Sequence, residues 1–150
     1  YAAGLRDRGW SVTAADVSDT ALAACQAKGL PVIDLKDARL AGRTFDAAVM
    51  GDVLEHVEDD VGALKDVAAA VRPGGFILVT VPAFNFLWGG EDYVSHHLRR
   101  YTRSGLKQVI AGAGLDPVTV SYEEPVGDDP TGISHPELLK VQADEQHAQH

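Results

Sequence analysis

Three apolar runs in this 150-residue chain stop at polar residues: TAAD at Asp16, PVID at Asp34, and AAVMGD at Met50-Gly51-Asp52. Aspartates in such places could hold a polar ligand, because a carboxylate has two acceptor oxygens and can bind a diol through both. The plainer reading of Asp16 is a cap for the helix that follows it. A second group of chemistry-bearing residues lies between Pro82 and Leu106. His97 is the best acid–base candidate there, since an unperturbed imidazole titrates near neutrality; its structural alternative is an orienting hydrogen bond to Asp92. Arg99, Arg100, Arg103 and Lys107 form a basic cluster in an acidic chain. Such a cluster could hold a carboxylate or phosphate on a substrate, and a solvated helix start is the plainer alternative. Phe84, Phe86, Leu87, Trp88 and Tyr93 crowd a Gly-containing loop just before it.

The elements that must position these residues can be read from periodicity. Phe45-Asp46 opens the run Ala47–Met50, long enough for a buried strand and too short for a helix. Val53-Leu54-Glu55-His56 makes a turn. Apolar residues then recur at Val61, Leu64, Val67, Ala68 and Val71, the spacing of a helix with one buried face. Asp59 or Asp60 stands at its N-cap, and Pro73-Gly74-Gly75 stops it. Phe76–Val81 is a second all-apolar, β-branched run. Two strands apolar throughout, joined by a helix, imply parallel pairing with both faces covered.

Before this unit the pattern is helix (to Arg8, ended by Gly9), strand (Trp10–Val17), helix (Ala21–Lys28, capped by Ser18-Asp19-Thr20, ended by Gly29) and strand (Leu30–Leu35). After it, Thr102 caps a helix carrying Leu106, Val109, Ile110 and Ala113, and Leu115–Tyr122 follows as a strand. The alternation predicts an open parallel α/β sheet, in which ligands bind outside the carboxyl ends of the strands. From Glu123 the chain turns acidic and Pro- and Gly-bearing, then weakly helical from about Pro136. That stretch reads as a mobile tail or a short docking helix.

Length and composition bound the function. One domain with a real core is expected, and 45% apolar with 23% charged residues is ordinary for a globular chain. The formal charge of −9 argues against binding a nucleic-acid backbone. No run approaches the roughly 20 apolar residues of a membrane span. Cys25 is the single cysteine, so neither an intrachain disulfide nor a Cys-based zinc site is expected, and a reduced, cytoplasmic setting fits. His147 and His150 lack partners suited to a metal, and none is expected.

FDAAVMGDVLEHVED followed by VRPGGFILVTVP resembles the second half of a class I S-adenosylmethionine-dependent methyltransferase of the small-molecule type. The combination of FD, LEH, PGG and VP at these spacings carries the resemblance. It implies a Rossmann-like doubly wound, mostly parallel sheet and S-adenosylmethionine as cofactor, with S-adenosylhomocysteine as product. On that resemblance Asp16, with Val17 beside it, would bind the ribose hydroxyls. Asp34 would bind the adenine amino group and Leu35 would offer its backbone N–H to the ring. Met50 and Gly51 would lie along the adenosine and methionine portions. Phe84, Trp88 and Tyr93 would belong to a substrate lid, with Arg99 and Arg100 as further substrate contacts and His97 as the catalytic residue. Glu55 and His56 read as structural residues that fix the loop. The run Asp92, His97, Arg99, Arg100, Tyr101 and Thr102 resembles a subgroup pattern, D-x-x-x-x-H-x-R-R-Y-T.

The resemblance covers residues 1–122, a partial methyltransferase domain, and leaves 123–150 as the tail. The family's first strand and its Gly-rich loop are absent before Tyr1. The expectation is a piece of a longer chain cut after that loop, with a gap between the strands ending at Asp16 and Met50. The expected activity is methyl transfer to a small-molecule acceptor, with an oxygen acceptor favoured. A non-catalytic, protein-binding relative is the alternative. An NAD-dependent dehydrogenase would share Asp16 but leaves the FD…LEH…PGG spacing unexplained.

Overall fold

The computed structural model describes residues 2–36, 40, 42–122 and 137–142, the last of these by backbone alone. The chain divides into two units, Tyr1–Leu40 and Ala41–His150. In the first, helix α1 (Ala2–Asp7) leads to strand β1 (Ala14–Asp16), helix α2 (Asp19–Ala27) and strand β2 (Val32–Asp34). Ser18 caps α2, its hydroxyl accepting from the Ala21 N–H at 3.3 Å. β1 and β2 pair in parallel, Ala14 with Val32 through Asp16 with Asp34. Leu22, Leu30 and Ile33 form the unit's small buried core. Both strands are shorter than their apolar runs. The ladder opens with the Ala14 N–H on the Pro31 carbonyl, and Pro31 has no N–H with which to extend it.

In the second unit, strand β3 (Phe45–Gly51) runs parallel to β4 (Val71–Val81), and helix α3 (Asp60–Ala69) makes the crossover. Asp59 caps α3 by accepting from the Gly62 N–H at 2.8 Å. β4 starts before the PGG break rather than after it, because the register shifts from Phe45–Val71 to Ala47–Phe76 and the intervening residues bulge out. Gly75 permits this: a Cβ there would lie 2.6 Å from the Asp46 carbonyl and 2.5 Å from a Val71 methyl. Thr102 caps helix α5 (Arg103–Gly112), accepting from the Gly105 N–H at 3.1 Å. A short helix α4 (Gly90–Val94) precedes it, and strand β5 (Asp116–Tyr122) follows. Met50, Leu54, Leu64, Ile77, Val79, Val81, Leu106 and Ile110 form the core on one face of the sheet. Val49, on the other face, is exposed, so the expected covering of both faces is not seen among the described residues of this unit. Each fully buried Leu or Ile stabilises by about 2–3 kcal/mol relative to exposure.

The stretch from Pro136 corrects its expected character. Residues Glu137–Gln142 form strand β6, antiparallel to both β4 and β5, and the sheet order is β3-β4-β6-β5. A weak helical preference yields to two strand edges that need pairing. Residues 123–136 and 143–150, including His147 and His150, lie outside the described residues. No described helix is long and apolar enough to cross a membrane.

Candidate functional site

Register places Asp16 and Asp34 side by side at the carboxyl ends of β1 and β2. Each folds one oxygen back onto its own chain: Asp16 Oδ1 accepts from the Ser18 N–H at 2.8 Å, and Asp34 Oδ1 from the Lys36 N–H at 2.9 Å. Each turn fixes its carboxylate through one oxygen. Lys36 Nζ stands 4.0 Å from Asp34 Oδ2 and bonds Asp19 at 2.6 Å. Val17 is exposed. Leu35 corrects an expectation: its backbone N–H already donates to the Asp16 carbonyl at 2.9 Å, closing the parallel ladder, so it is not free for an adenine ring.

In the second unit the Met50 side chain belongs to the core, and the loop after β3 carries the polar chemistry. Asp52 has a φ of 52° and Phe84, after β4, a φ of 60°; His96, next to His97, has 56°. A non-glycine residue in this region costs about 1–3 kcal/mol and persists where the surroundings demand it. All three flank the candidate residues. Thr80 holds Asp52 in place, its carbonyl accepting from the Asp52 N–H at 3.0 Å and its hydroxyl lying 3.3 Å from Asp52 Oδ1. Partial desolvation lifts the Asp52 pKa, against the opposing pull of Thr80, His97 and His56.

Glu55 sits on a 3-10 turn, Leu54–His56. Its backbone carbonyl accepts from the Leu98 N–H at 2.7 Å and so ties the turn to the later loop. The expectation that the Glu55 side chain fixes this loop does not hold. The side chain is fully buried, and neither carboxylate oxygen has a hydrogen-bond partner. Burial pushes its pKa up to about 7, against the opposing pull of its own backbone N–H and with the nearby Asp52 adding to the rise.

The Gly89–Thr102 stretch is organised around two aspartates. Asp92, fully buried, receives both Arg100 Nε and Nη2, at 2.7 and 2.9 Å, and the Gly89 N–H at 2.8 Å. His97 Nδ1 lies 2.8 Å from the same carboxylate. The Arg100 guanidinium, first among these partners, holds the Asp92 carboxyl well below the usual carboxylate range. An ionised carboxylate only accepts, so Nδ1 carries the ring proton and Nε2 is left as the basic nitrogen. Asp60, at the start of α3, takes Arg99 Nη1 at 2.9 Å and lies 2.9 Å from the Tyr101 hydroxyl. That hydroxyl also stands 3.1 Å from the Leu54 carbonyl, and burial followed by Asp60 raises its pKa.

Arg100 therefore corrects its expected role: it is 8% exposed, and its guanidinium is taken up by Asp92 and the Ala83 carbonyl, so it does not face a substrate. Arg99, partly exposed, is anchored to Asp60 and to the Glu58 carbonyl. Of the aromatics expected in a lid, Tyr93 is exposed and Trp88 meets its ring edge-on at 5.9 Å. Phe84 stacks on Tyr122 at 4.7 Å, and Arg103 covers that tyrosine at 4.5 Å. The structure brings His97 against His56, ring centroids 4.8 Å apart, and both beside Glu55. Sequence reasoning named Asp60 only as a cap. The alternation of Arg99 and Tyr101 in an extended run, pointing two partners at one acid, was the available signal.

Comparison with known proteins gives this arrangement a context. A family model described as a methyltransferase domain matches residues 1–79. A ubiquinone biosynthesis O-methyltransferase of Parvibaculum lavamentivorans is 38% identical over a region covering 50% of this chain and 35% of that protein. The chain thus spans about a third of the length of the curated relatives it matches. Among solved structures, an S-adenosylmethionine-dependent methyltransferase from Mesorhizobium loti superposes with a TM-score of 0.69 at 19% identity, covering 91% of this chain and 82% of that one. Magnesium protoporphyrin IX methyltransferase from Synechocystis PCC 6803, solved with bound S-adenosylhomocysteine, gives 0.68 at 12% identity, over 93% and 67% of the two chains. At these identities the two structures support the fold, and the Rossmann-like α/β class is the one expected from the sequence.

Proposed function

The chain belongs to the methyltransferase-domain family of S-adenosylmethionine-dependent enzymes, and from that premise we propose that it moves a methyl group from S-adenosylmethionine to a hydroxyl oxygen of a small molecule. The observation that carries the cofactor reading is the pair Asp16 and Asp34, adjacent at the carboxyl ends of parallel strands, each with one oxygen outside its turn. A pinned carboxylate with acceptor capacity to spare suits a ribose diol, so the residues present fit the group. The matched relatives are named for O-methylation, which favours an oxygen acceptor.

When bound, S-adenosylmethionine supplies an electrophilic methyl group. The protein's own part is then alignment, exclusion of water and removal of one proton. On this reading Asp16, with Val17 alongside, would hold the ribose and Asp34 the adenine amino group, and Gly51, in the second unit, would permit close backbone approach. Trp88 and Tyr93, with Phe84 at the base of the loop, cover the acceptor, and Arg99 stands at its margin. His97, its Nδ1–H fixed on Asp92, accepts the hydroxyl proton at Nε2.

Calorimetric titration of S-adenosylhomocysteine into protein expressed from the complete reading frame that contains residues 1–150 tests the cofactor half. Asp16→Ala should weaken binding at least about tenfold, ~1.4 kcal/mol. Unchanged affinity in that variant refutes the assignment. Absence of binding in the unaltered, folded protein favours the non-catalytic, protein-binding alternative. For the acceptor half, His97→Gln should lower the rate on a hydroxyl acceptor by about 10²-fold or more; a rate unchanged by it removes His97 from the chemistry.

A further inference from the structure

A buried carboxylate with both oxygens unpartnered is costly, about 1–3 kcal/mol for an unmet polar group and more for a charged one. Glu55 is such a group. Its surroundings differ from those of an accidental orphan. His56 Nε2 lies 4.0 Å from Glu55 Oε1. One ligand atom each from Glu55, His56 and His97 fall within 4.8 Å of one another. The three come from two separate segments, the turn after β3 and the loop before α5, and the Leu98 N–H on the Glu55 carbonyl locks those segments together.

We propose that Glu55, His56 and His97 form a binding site for a divalent first-row transition-metal cation. Two imidazoles and one carboxylate make the donor set that such ions take, with positions left open for water or a substrate oxygen. Ligands at about 2.1 Å from a metal stand about 3.4 Å apart in a tetrahedral arrangement. The separations here, up to 4.8 Å, therefore need to contract by up to about 1.4 Å, within reach of side-chain rotation. Asp92 completes the pattern. A metal-bound histidine usually gives its other ring N–H to a carboxylate, which sets the tautomer and raises the basicity of the ligating nitrogen. The His97 Nδ1 contact to Asp92 at 2.8 Å is that arrangement, and Arg100 in turn fixes Asp92. The strained Asp52, electrostatically coupled to both histidines, places another acidic group at the site's edge.

The site stands independently of the acceptor assignment. Beside an acceptor hydroxyl an ion would favour its deprotonation, a consequence that rests on the reading above. It would also occupy the Nε2 that otherwise takes the proton, so the two roles of His97 are alternatives that a binding measurement separates.

The probe is Co²⁺, titrated into chelator-stripped protein from the complete reading frame and followed by visible d–d absorption and calorimetry. One Co²⁺ per chain is expected with a d–d band, displaced by Zn²⁺. His56→Gln, at an exposed ring that the fold does not need, should weaken binding at least tenfold, and Glu55→Gln more so. The double variant His147→Gln/His150→Gln should leave it unchanged. Circular dichroism confirms that each variant is folded. The proposal is overturned if folded protein takes up no Co²⁺ at 1:1 stoichiometry, or if binding survives His56→Gln and Glu55→Gln, or if it is lost with His147 and His150 instead.

Discussion

The Glu55 carboxyl should make the stability of this protein fall as pH rises, and replacing it with glutamine should abolish that component. Burial raises the folded-state pKa from its ordinary 4.5 to about 7. Below pH 4.5 the group is protonated in both folded and unfolded chains and contributes no pH dependence. Between 4.5 and about 7 the unfolded chain ionises while the folded one keeps its proton, so unfolding is progressively favoured. Above about 7 both are ionised and the full cost is present. At about 1.4 kcal/mol per tenfold difference in proton affinity, that cost is roughly 3 kcal/mol. Glutamine has nearly the same shape and no charge to bury. The assay is urea unfolding of unaltered and Glu55→Gln protein at intervals from pH 5 to 8.5, with chelator present to keep cations from Glu55. The stability difference between the two should grow with pH in favour of glutamine, by up to about 3 kcal/mol. Comparing differences cancels the titrating groups that do not interact with Glu55, and leaves the static cost of the substitution as an offset independent of pH. Curves that run parallel across this range would refute the claim that Glu55 is desolvated and unpaired.

Other substitutions test the frame around the site. Asp92→Asn should cost about 3–5 kcal/mol in urea unfolding, since it leaves the buried Arg100 guanidinium without its counter-charge. Tyr101→Phe should cost about 1–2 kcal/mol, the value of a buried hydrogen bond to a charged acceptor, because Asp60 loses its hydroxyl partner; a thermal melt reads it. Gly75→Ala should destabilise by about 1–3 kcal/mol through the clash with the Asp46 carbonyl. A melt unchanged by Gly75→Ala would mean that the bulge in β4 is looser than described.

What the sequence determined by itself is the order of elements and their caps. Helical spacing and a capping side chain are local properties, and Ser18, Asp59 and Thr102 each accept the backbone N–H that their positions imply. The parallel pairing of β3 and β4 was legible from two apolar runs joined by a helix, whereas the covering of both faces expected with it is not seen among the described residues, Val49 being exposed. The candidate residues, Asp16 and Asp34 in the first unit and Glu55, His56, Asp92, His97 and the arginines in the second, stand out by type along the chain. Their roles were decided by tertiary structure. Which carboxylate has partners depends on residues far away in sequence. Arg100 serves Asp92, Arg99 and Tyr101 serve Asp60 from about 40 residues away, and the Glu55 carboxylate, beside His56 in sequence, receives no hydrogen bond from another side chain among the described residues. The same holds for β6, where open edges on β4 and β5 overrode a weak helical preference. Local propensity is fixed by a residue and its neighbours, whereas burial and charge pairing exist only once distant segments meet.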